Sequence, residues 1–251
     1  MRTIKTMLLL LAAIPAICGA ALTENQRIES TTLGYALQYR VYVPDGIHPD
    51  SKLQTIYLLD GQWYLENGQM VNVLDQAYRN GQTGPIVAVF IDSRNPDMLG
   101  DNRRNNEFIC NPKYIAFVVQ ELIPVIASNY PVSPRRVDRV VGGLSFGGMG
   151  AACFGLIAPA AFGGIAMQSP ANADHIEVLT KQYKKAPPGD FRVFLSVGKR
   201  NDNTKAVRGL HKAMRRKKGY DVSYIEVDSG HDWGNWGPLL DDLLLRFFGS
   251  N

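Results

Sequence analysis

The sequence predicts an α/β fold in which a mostly parallel central sheet, preceded by antiparallel strands, carries helices on both faces. Three observations carry that prediction. From residue 55 onward, short apolar runs recur between helical stretches, the order that builds a parallel sheet. The stretch before them alternates apolar residues with polar or small ones, as antiparallel strands do. The chain has 251 residues, 45% hydrophobic and 20% charged, enough for one core without a second unit.

At the N-terminus, Arg2 and Lys5 precede an apolar run from Met7 to Ile17 that ends in Cys18-Gly19-Ala20-Ala21. That order predicts a secretory signal peptide over residues 1–21, cleaved after Ala20 or Ala21, and a single mature domain over 22–251 in the periplasm or medium. Acylation of Cys18 fits poorly behind the bulky Ile17. The run is shorter than the roughly 20 residues that span a bilayer, and no later segment is long and apolar enough, so no membrane insertion is expected after cleavage.

Tyr35, Leu37, Tyr39, Val41 and Val43 alternate within Ile28–Val43 and stop at Pro44-Asp45-Gly46, which reads as a half-exposed antiparallel hairpin. Strands are expected at Thr55–Leu59, Ile86–Ile91, Arg139–Val141, Gly164–Met167, Phe191–Val197 and Val222–Val227. Helices are expected at Tyr64–Arg79, Lys113–Asn129, Gly147–Ile157, Thr204–Lys218 and Gly237–Phe248. The clearest is Lys113–Asn129, opened by Asn111 as cap and Pro112 in its first turn. Asp92–Asn111 has no clear period and reads as a long loop.

Net charge is +4 with Arg2 and Lys5 included, so the mature chain is only mildly basic and nucleic acid is not implied. The dense run Lys212, Arg215, Arg216, Lys217 and Lys218 closes a helix, where cations suit the dipole; a solvated helix end is favoured there over an anion-docking patch. In an oxidising compartment Cys110 and Cys153 can pair. The favoured reading leaves them apart, Cys153 as a small buried residue on a helix and Cys110 in a loop.

Gly143-Leu144-Ser145-Phe146-Gly147 is a Gly-x-Ser-x-Gly pattern between a strand and a helix, the setting that lifts a serine hydroxyl above a sheet. Ser145 is therefore the candidate nucleophile, and it needs a base. Of four histidines, His48, His175 and His211 read as surface residues. His231, in the loop after the last expected strand, stands where such a fold places its base. Asp202 follows the strand ending at Val197-Gly198 and is the candidate acid that would orient His231, or else it caps the helix from Thr204. Asp174, Asp228 and Asp232 are rivals, and a Ser-His dyad needs none of them. The backbone amides of Phe146 and of Gln62, the latter in the turn after Leu58-Leu59-Asp60-Gly61, are the candidate oxyanion donors. Trp63, Arg103, Arg104 and Trp233 are candidate substrate contacts, with Arg94 a further loop cation. No ligand cluster or phosphate-cradling glycine loop is present, so neither metal nor organic cofactor is expected.

Together these residues resemble the Putative esterase family, which groups enterochelin esterases, the esterase D group and mycolyltransferases on the α/β-hydrolase fold. The resemblance spans nearly the whole mature chain. It rests on the Leu58-Leu59-Asp60-Gly61 turn, on Glu121 to Pro124, on Ala158 to Gly163, on Gln168-Ser169-Pro170, and on His231-Asp232-Trp233 with Trp236. One departure is that the family's acid often stands three residues after a strand-ending glycine, where this chain has Asn201 and Asp202 follows one place later. The resemblance implies hydrolysis of small-molecule esters and is strongest to exported enterochelin esterases, whose anionic catecholate esters would suit Arg103 and Arg104; the alternative, at least equally favoured, is that these are solvated loop arginines beside Asp97, Asp101 and Glu107. A secreted acetyl or feruloyl carbohydrate esterase would share every catalytic residue. A peptidase is disfavoured because no propeller or cap domain is present to select peptides, and a binding protein without turnover would share only the fold.

Overall fold

The computed structural model describes residues 21–249. The segment expected to direct export therefore lies outside the described residues, apart from Ala21. Elements follow in chain order: β1 (Ala21–Leu22), β2 (Gln26–Glu29), β3 (Ala36–Val43), β4 (Gln54–Leu59), α1 (Gly61–Glu66), α2 (Met70–Arg79) and β5 (Ile86–Asp92). A small ribbon of β6 (Arg94–Asn95) and β7 (Met98–Asn102) leads to α3 (Arg104–Glu107), α4 (Pro112–Phe117) and α5 (Ile123–Asn129). The last half alternates β8 (Arg139–Leu144), α6 (Phe146–Ile157), β9 (Gly164–Gln168), α7 (Ala173–Lys185), β10 (Phe191–Gly198), α8 (Thr204–Arg215) and β11 (Tyr220–Val227), then ends in α9 (Trp233–Trp236) and α10 (Leu240–Phe248).

The main sheet runs β1-β3-β5-β4-β8-β9-β10-β11, with β2 also on β3. Strands β1, β2 and β3 pair antiparallel, β3 is antiparallel to β5, and every later neighbour is parallel, so the sheet is mixed. The chain leaves β4 for β5 on one side and later returns to β8 on the other. The crevice between the C-terminal ends of β4 and β8 is thus a topological switch point, where open α/β sheets hold their ligands.

Both faces of the sheet are buried. On one, Val41, Tyr57, Val89, Val141, Ile165 and Val193 pack with apolar residues of α4 to α8. On the other, Tyr42, Ile56, Phe90, Val140 and Phe194 pack with α1, α2 and α10. This two-sided cover corrects the half-exposed hairpin. Of β3 only Arg40 escapes full burial, because β3 lies between β1/β2 and β5 rather than at an edge.

Three expected helices are interrupted for local reasons. The stretch 64–79 breaks between α1 and α2 at Gly68, where an added Cβ would lie 2.9 Å from the Trp233 ring, and at Gln69, whose φ is 48°. The stretch 113–129 widens into a π turn at Val118–Leu122, just ahead of Pro124, which has no N–H to donate to the preceding turn. The stretch 237–248 begins as a 3-10 turn over Gly237–Leu239 that holds Pro238. Helix α7 was not anticipated, although Asn172 caps it and Ile176, Leu179, Thr180 and Tyr183 give it a buried stripe. Cys110 and Cys153 are joined in a disulfide with Cα atoms 5.0 Å apart, correcting the unpaired reading. Cys110 has φ 47°, and the left-handed turn before α4 brings the loop thiol onto α6.

Candidate active site

The hydroxyl of Ser145 stands on a strained bend between β8 and α6, with φ 52° and ψ −123°. The flanking glycines are sterically required: a Cβ on Gly143 would lie 2.3 Å from the Gly147 carbonyl carbon, and one on Gly147 would lie 2.9 Å from Asp60 Oδ2. Two backbone bonds hold the bend. The Ser145 amide donates to Gln168 O at 2.9 Å, and the Ala171 amide donates to Ser145 O at 2.9 Å. Four further non-glycine residues with left-handed φ, Asp60, Ser169, Ala171 and Asn201, stand beyond the C-terminal ends of β4, β9 and β10. Backbone strain is thus concentrated around the one crevice.

His231 Nε2 lies 2.9 Å from Ser145 Oγ, and His231 Nδ1 lies 3.0 Å from Asp202 Oδ1. Ionised Asp202 can only accept, so Nδ1 carries the hydrogen and Nε2 faces the hydroxyl with its lone pair. The left-handed turn at Asn201 lets Asp202 reach His231 from one place beyond the position usual in the family. Helix α8 is capped by Asn203 without a side-chain bond, so Asp202 does not serve as its cap. Asp232 instead caps α9, and Asp228 pairs with Arg200.

The Asp202 side chain is fully buried and richly bonded. Its Oδ1 accepts from the Asn203 amide at 2.7 Å, while Oδ2 accepts from Ser169 Oγ at 2.6 Å and from the Gly198 amide at 2.8 Å. Burial pushes this carboxyl up, but bonds from His231, Ser169 and the two amides outweigh it and hold it below the usual carboxylate range. Ser169 Oγ in turn accepts from Asn235 Nδ2 at 2.9 Å and from Trp236 Nε1 at 3.1 Å. The Trp236 ring also meets His231 edge-on at 5.2 Å between centroids. Sequence reasoning gave Ser169 and Asn235 no role. The only signal was the Gln168-Ser169-Pro170 segment and the stretch following His231.

The amides of Gln62 and Phe146 sit in the first turns of α1 and α6, where no preceding helical carbonyl is available, and neither donates to an acceptor among the described residues. The Gln62 side chain points elsewhere, into a separate cavity of about 210 Å³ that Gln38, Asp92 and Arg94 share. At Ser145 itself a cavity of about 340 Å³ opens, lined also by Phe146, Ala171, Asn172, Asn203 and His231. His175, at the start of α7, packs on Phe146 with ring centroids 5.4 Å apart.

The arginines expected to meet an anionic substrate are engaged inside the protein. Arg104 makes two bonds to the fully buried Asp60, at 2.9 and 2.6 Å, and lies over the Trp63 and Phe146 rings. It braces the turn after β4 against the Ser145 bend. Arg103 lies over Tyr35 and donates to Ala36 O and Asp101, while Arg94 is held by Asp92. Trp63 and Trp233 do not line the Ser145 cavity; Trp233 packs edge-on to Tyr64 and Trp236. Among the described residues no helix is long and apolar enough to cross a membrane.

A model of the family described as Putative esterase matches residues 30–247. The chain is 30% identical over 197 residues to the iron(III) enterobactin esterase of Escherichia coli K12, a match covering 74% of this chain and 48% of that protein. It is 27% identical over 229 residues to an acetyl esterase of Caldicellulosiruptor saccharolyticus, covering 75% and 80% respectively. Its fold superposes on the crystal structure of the enterobactin esterase from Shigella flexneri with a TM-score of 0.77 at 27% identity, covering 92% of this chain and 61% of that one. The chain thus spans about half the length of the first of these relatives.

Proposed function

This chain belongs to the Putative esterase family, and we infer from that membership that it hydrolyses carboxylic ester bonds through Ser145, His231 and Asp202. The observation that carries the reading is the line from hydroxyl to imidazole to carboxylate, with steps of 2.9 and 3.0 Å, on a strained strand-to-helix bend. Ser145 Oγ attacks the ester carbonyl as its proton passes to His231 Nε2, and Asp202 stabilises the imidazolium. The Phe146 and Gln62 amides, free of acceptors among the described residues, receive the oxyanion. Collapse breaks the C–O bond, and His231 returns its proton to the leaving alcohol. Water then attacks the acyl-serine with His231 again as base, releasing the acid and restoring Ser145. A fluorophosphonate probe should label wild-type protein and leave Ser145→Ala unlabelled, and p-nitrophenyl butyrate should be turned over by the first alone. Equal turnover by both refutes the assignment.

Two substrate readings follow from the relatives. Likeness to enterobactin esterases supports a siderophore ester. The acetyl esterase, of which the chain covers 80%, supports an acetyl ester, such as the acetylated carbohydrate expected from the sequence, and the engagement of Arg94, Arg103 and Arg104 by protein groups favours this second reading. Product assays on a triscatecholate ester and on acetylated xylan separate the two. Export is part of the proposal, and the Cys110–Cys153 disulfide supports an oxidising compartment.

A further inference from the structure

Helices α7 and α8 run side by side in successive strand-helix units, and both begin beside Ser145. Their cap residues, Asn172 and Asn203, line the Ser145 cavity. From that end a groove follows the seam between them as two joined cavities of about 400 and 420 Å³ that share Thr180, Lys184 and Gly209. Its floor is low because Ala206, Gly209 and Ala213 face it, and a Cβ added to Gly209 would meet nothing within 4 Å. Helix α8 has 12 residues, so the groove extends about 18 Å from the site at 1.5 Å per residue.

Its walls are cationic from end to end. Lys181, Lys184, Lys205, Lys212, Arg216 and Lys217 line it against a single carboxylate, Glu177; Lys217 Nζ donates to the Lys184 and Ala186 carbonyls, and the other five form no ion pair among the described residues. The helix dipole accounts for cations near the C-terminal ends but not for Lys205, in the first turn of α8, where the dipole disfavours positive charge. Lys184, Lys212, Arg216 and Lys217 thus stand at helix C-terminal ends, and Lys181 and Lys205 extend the positive charge along the groove toward Ser145. No aromatic side chain lines it to stack on a nucleic-acid base. The exposed large apolar side chains, such as Met98, Leu99 and Val178, lie outside it, so it offers no apolar anchor for a lipid surface.

We propose that this groove binds the chain of an acidic polysaccharide and presents one of its ester groups to Ser145. The proposal rests on the carbohydrate-ester reading and narrows it to a uronate-bearing polymer. Lys181, Lys184, Lys205, Lys212 and Arg216, without ion-pair partners among the described residues, form a linear track that attracts a chain of carboxylates and gives the enzyme preference for longer, charged substrates, an attraction that salt screens.

The test compares acetylated polygalacturonate oligomers of increasing length, acetylated neutral xylo-oligomers and p-nitrophenyl acetate, using wild-type protein and a variant carrying Lys181→Gln, Lys184→Gln, Lys212→Gln and Arg216→Gln. The expected result is a KM for the acidic oligomers that falls with length in the wild type and rises roughly tenfold in the variant, the sum of four exposed charge contacts. High salt should raise the wild-type KM in the same way, and p-nitrophenyl acetate kinetics should not change. Equal KM values for variant and wild type, or equal use of neutral and acidic oligomers, overturn the proposal. Loss of turnover on every ester would instead sink the esterase reading. The groove is then judged by calorimetric binding of unesterified polygalacturonate to Ser145→Ala with and without the four substitutions. Binding that the substitutions weaken supports the groove; no binding, or tighter binding of single-stranded nucleic acid or anionic vesicles, overturns it.

Discussion

Exchanging the Asp202 carboxylate for an amide leaves its size intact but offers His231 Nδ1 a group that can donate as well as accept, and the imidazole loses its fixed tautomer. Asp202→Asn should therefore lower kcat by about 10⁴-fold with a smaller change in KM, measured on p-nitrophenyl butyrate. The same carboxylate contributes to stability with a definite sign. Its folded pKa lies below the unfolded one, so its contribution is present above the ordinary carboxylate range and is lost as the pH falls through it. Glu107 has the opposite sign. Burial pushes its carboxyl up to about 8, with Tyr35 Oη donating to it at 3.1 Å. Its stabilisation is complete below the ordinary carboxylate range and is lost as the pH rises through about 8. Glu107→Gln, neutral throughout, should flatten the decline in melting temperature over that window, and an unchanged slope would show that other groups set it.

At the level of single elements, the Ser145 bend and the turn after β4 are braced together by Arg104. Removing the guanidinium leaves Asp60 buried and unpaired beneath the elbow. Arg104→Met should cost about 3 to 5 kcal/mol by urea unfolding and also lower kcat, since the turn that carries the Gln62 amide loses its clasp. A stability loss with unchanged kcat would assign Arg104 to folding alone. Gly143→Ala puts a methyl group into the Gly147 backbone, so the elbow must open and fluorophosphonate labelling should vanish even where circular dichroism keeps its helix content. The bend was legible because its glycines are a steric necessity. The breaks in the helical stretches at Gly68 and Pro124 were less so, for a strong apolar period runs across both and conceals the residues that interrupt it.

Across the molecule, the disulfide ties the loop after α3 to α6, closing 43 residues of separation. Replacing both cysteines by serine should lower the unfolding free energy by about 2 to 4 kcal/mol, read from denaturant midpoints, by loosening the constraint on the unfolded chain. The alternation of strand and helix, the elbow around Ser145, and His231 after the last strand could all be read in one dimension, because each is a local pattern with a mechanical cause. Sequence alone kept Asp202 between cap and acid, and left the cysteines on balance apart. It also offered Arg103 and Arg104 as free cations. Those matters turn on which surfaces meet across the sheet: β10 and the Asn201 turn deliver Asp202 to a histidine 29 residues away, and Asp60 claims Arg104 from 44 residues away. Local periodicity determines elements and their order. Partners distant along the chain are chosen only when the folded sheet brings its loop ends to one side, and so the identity of each charge's partner belongs to the tertiary structure.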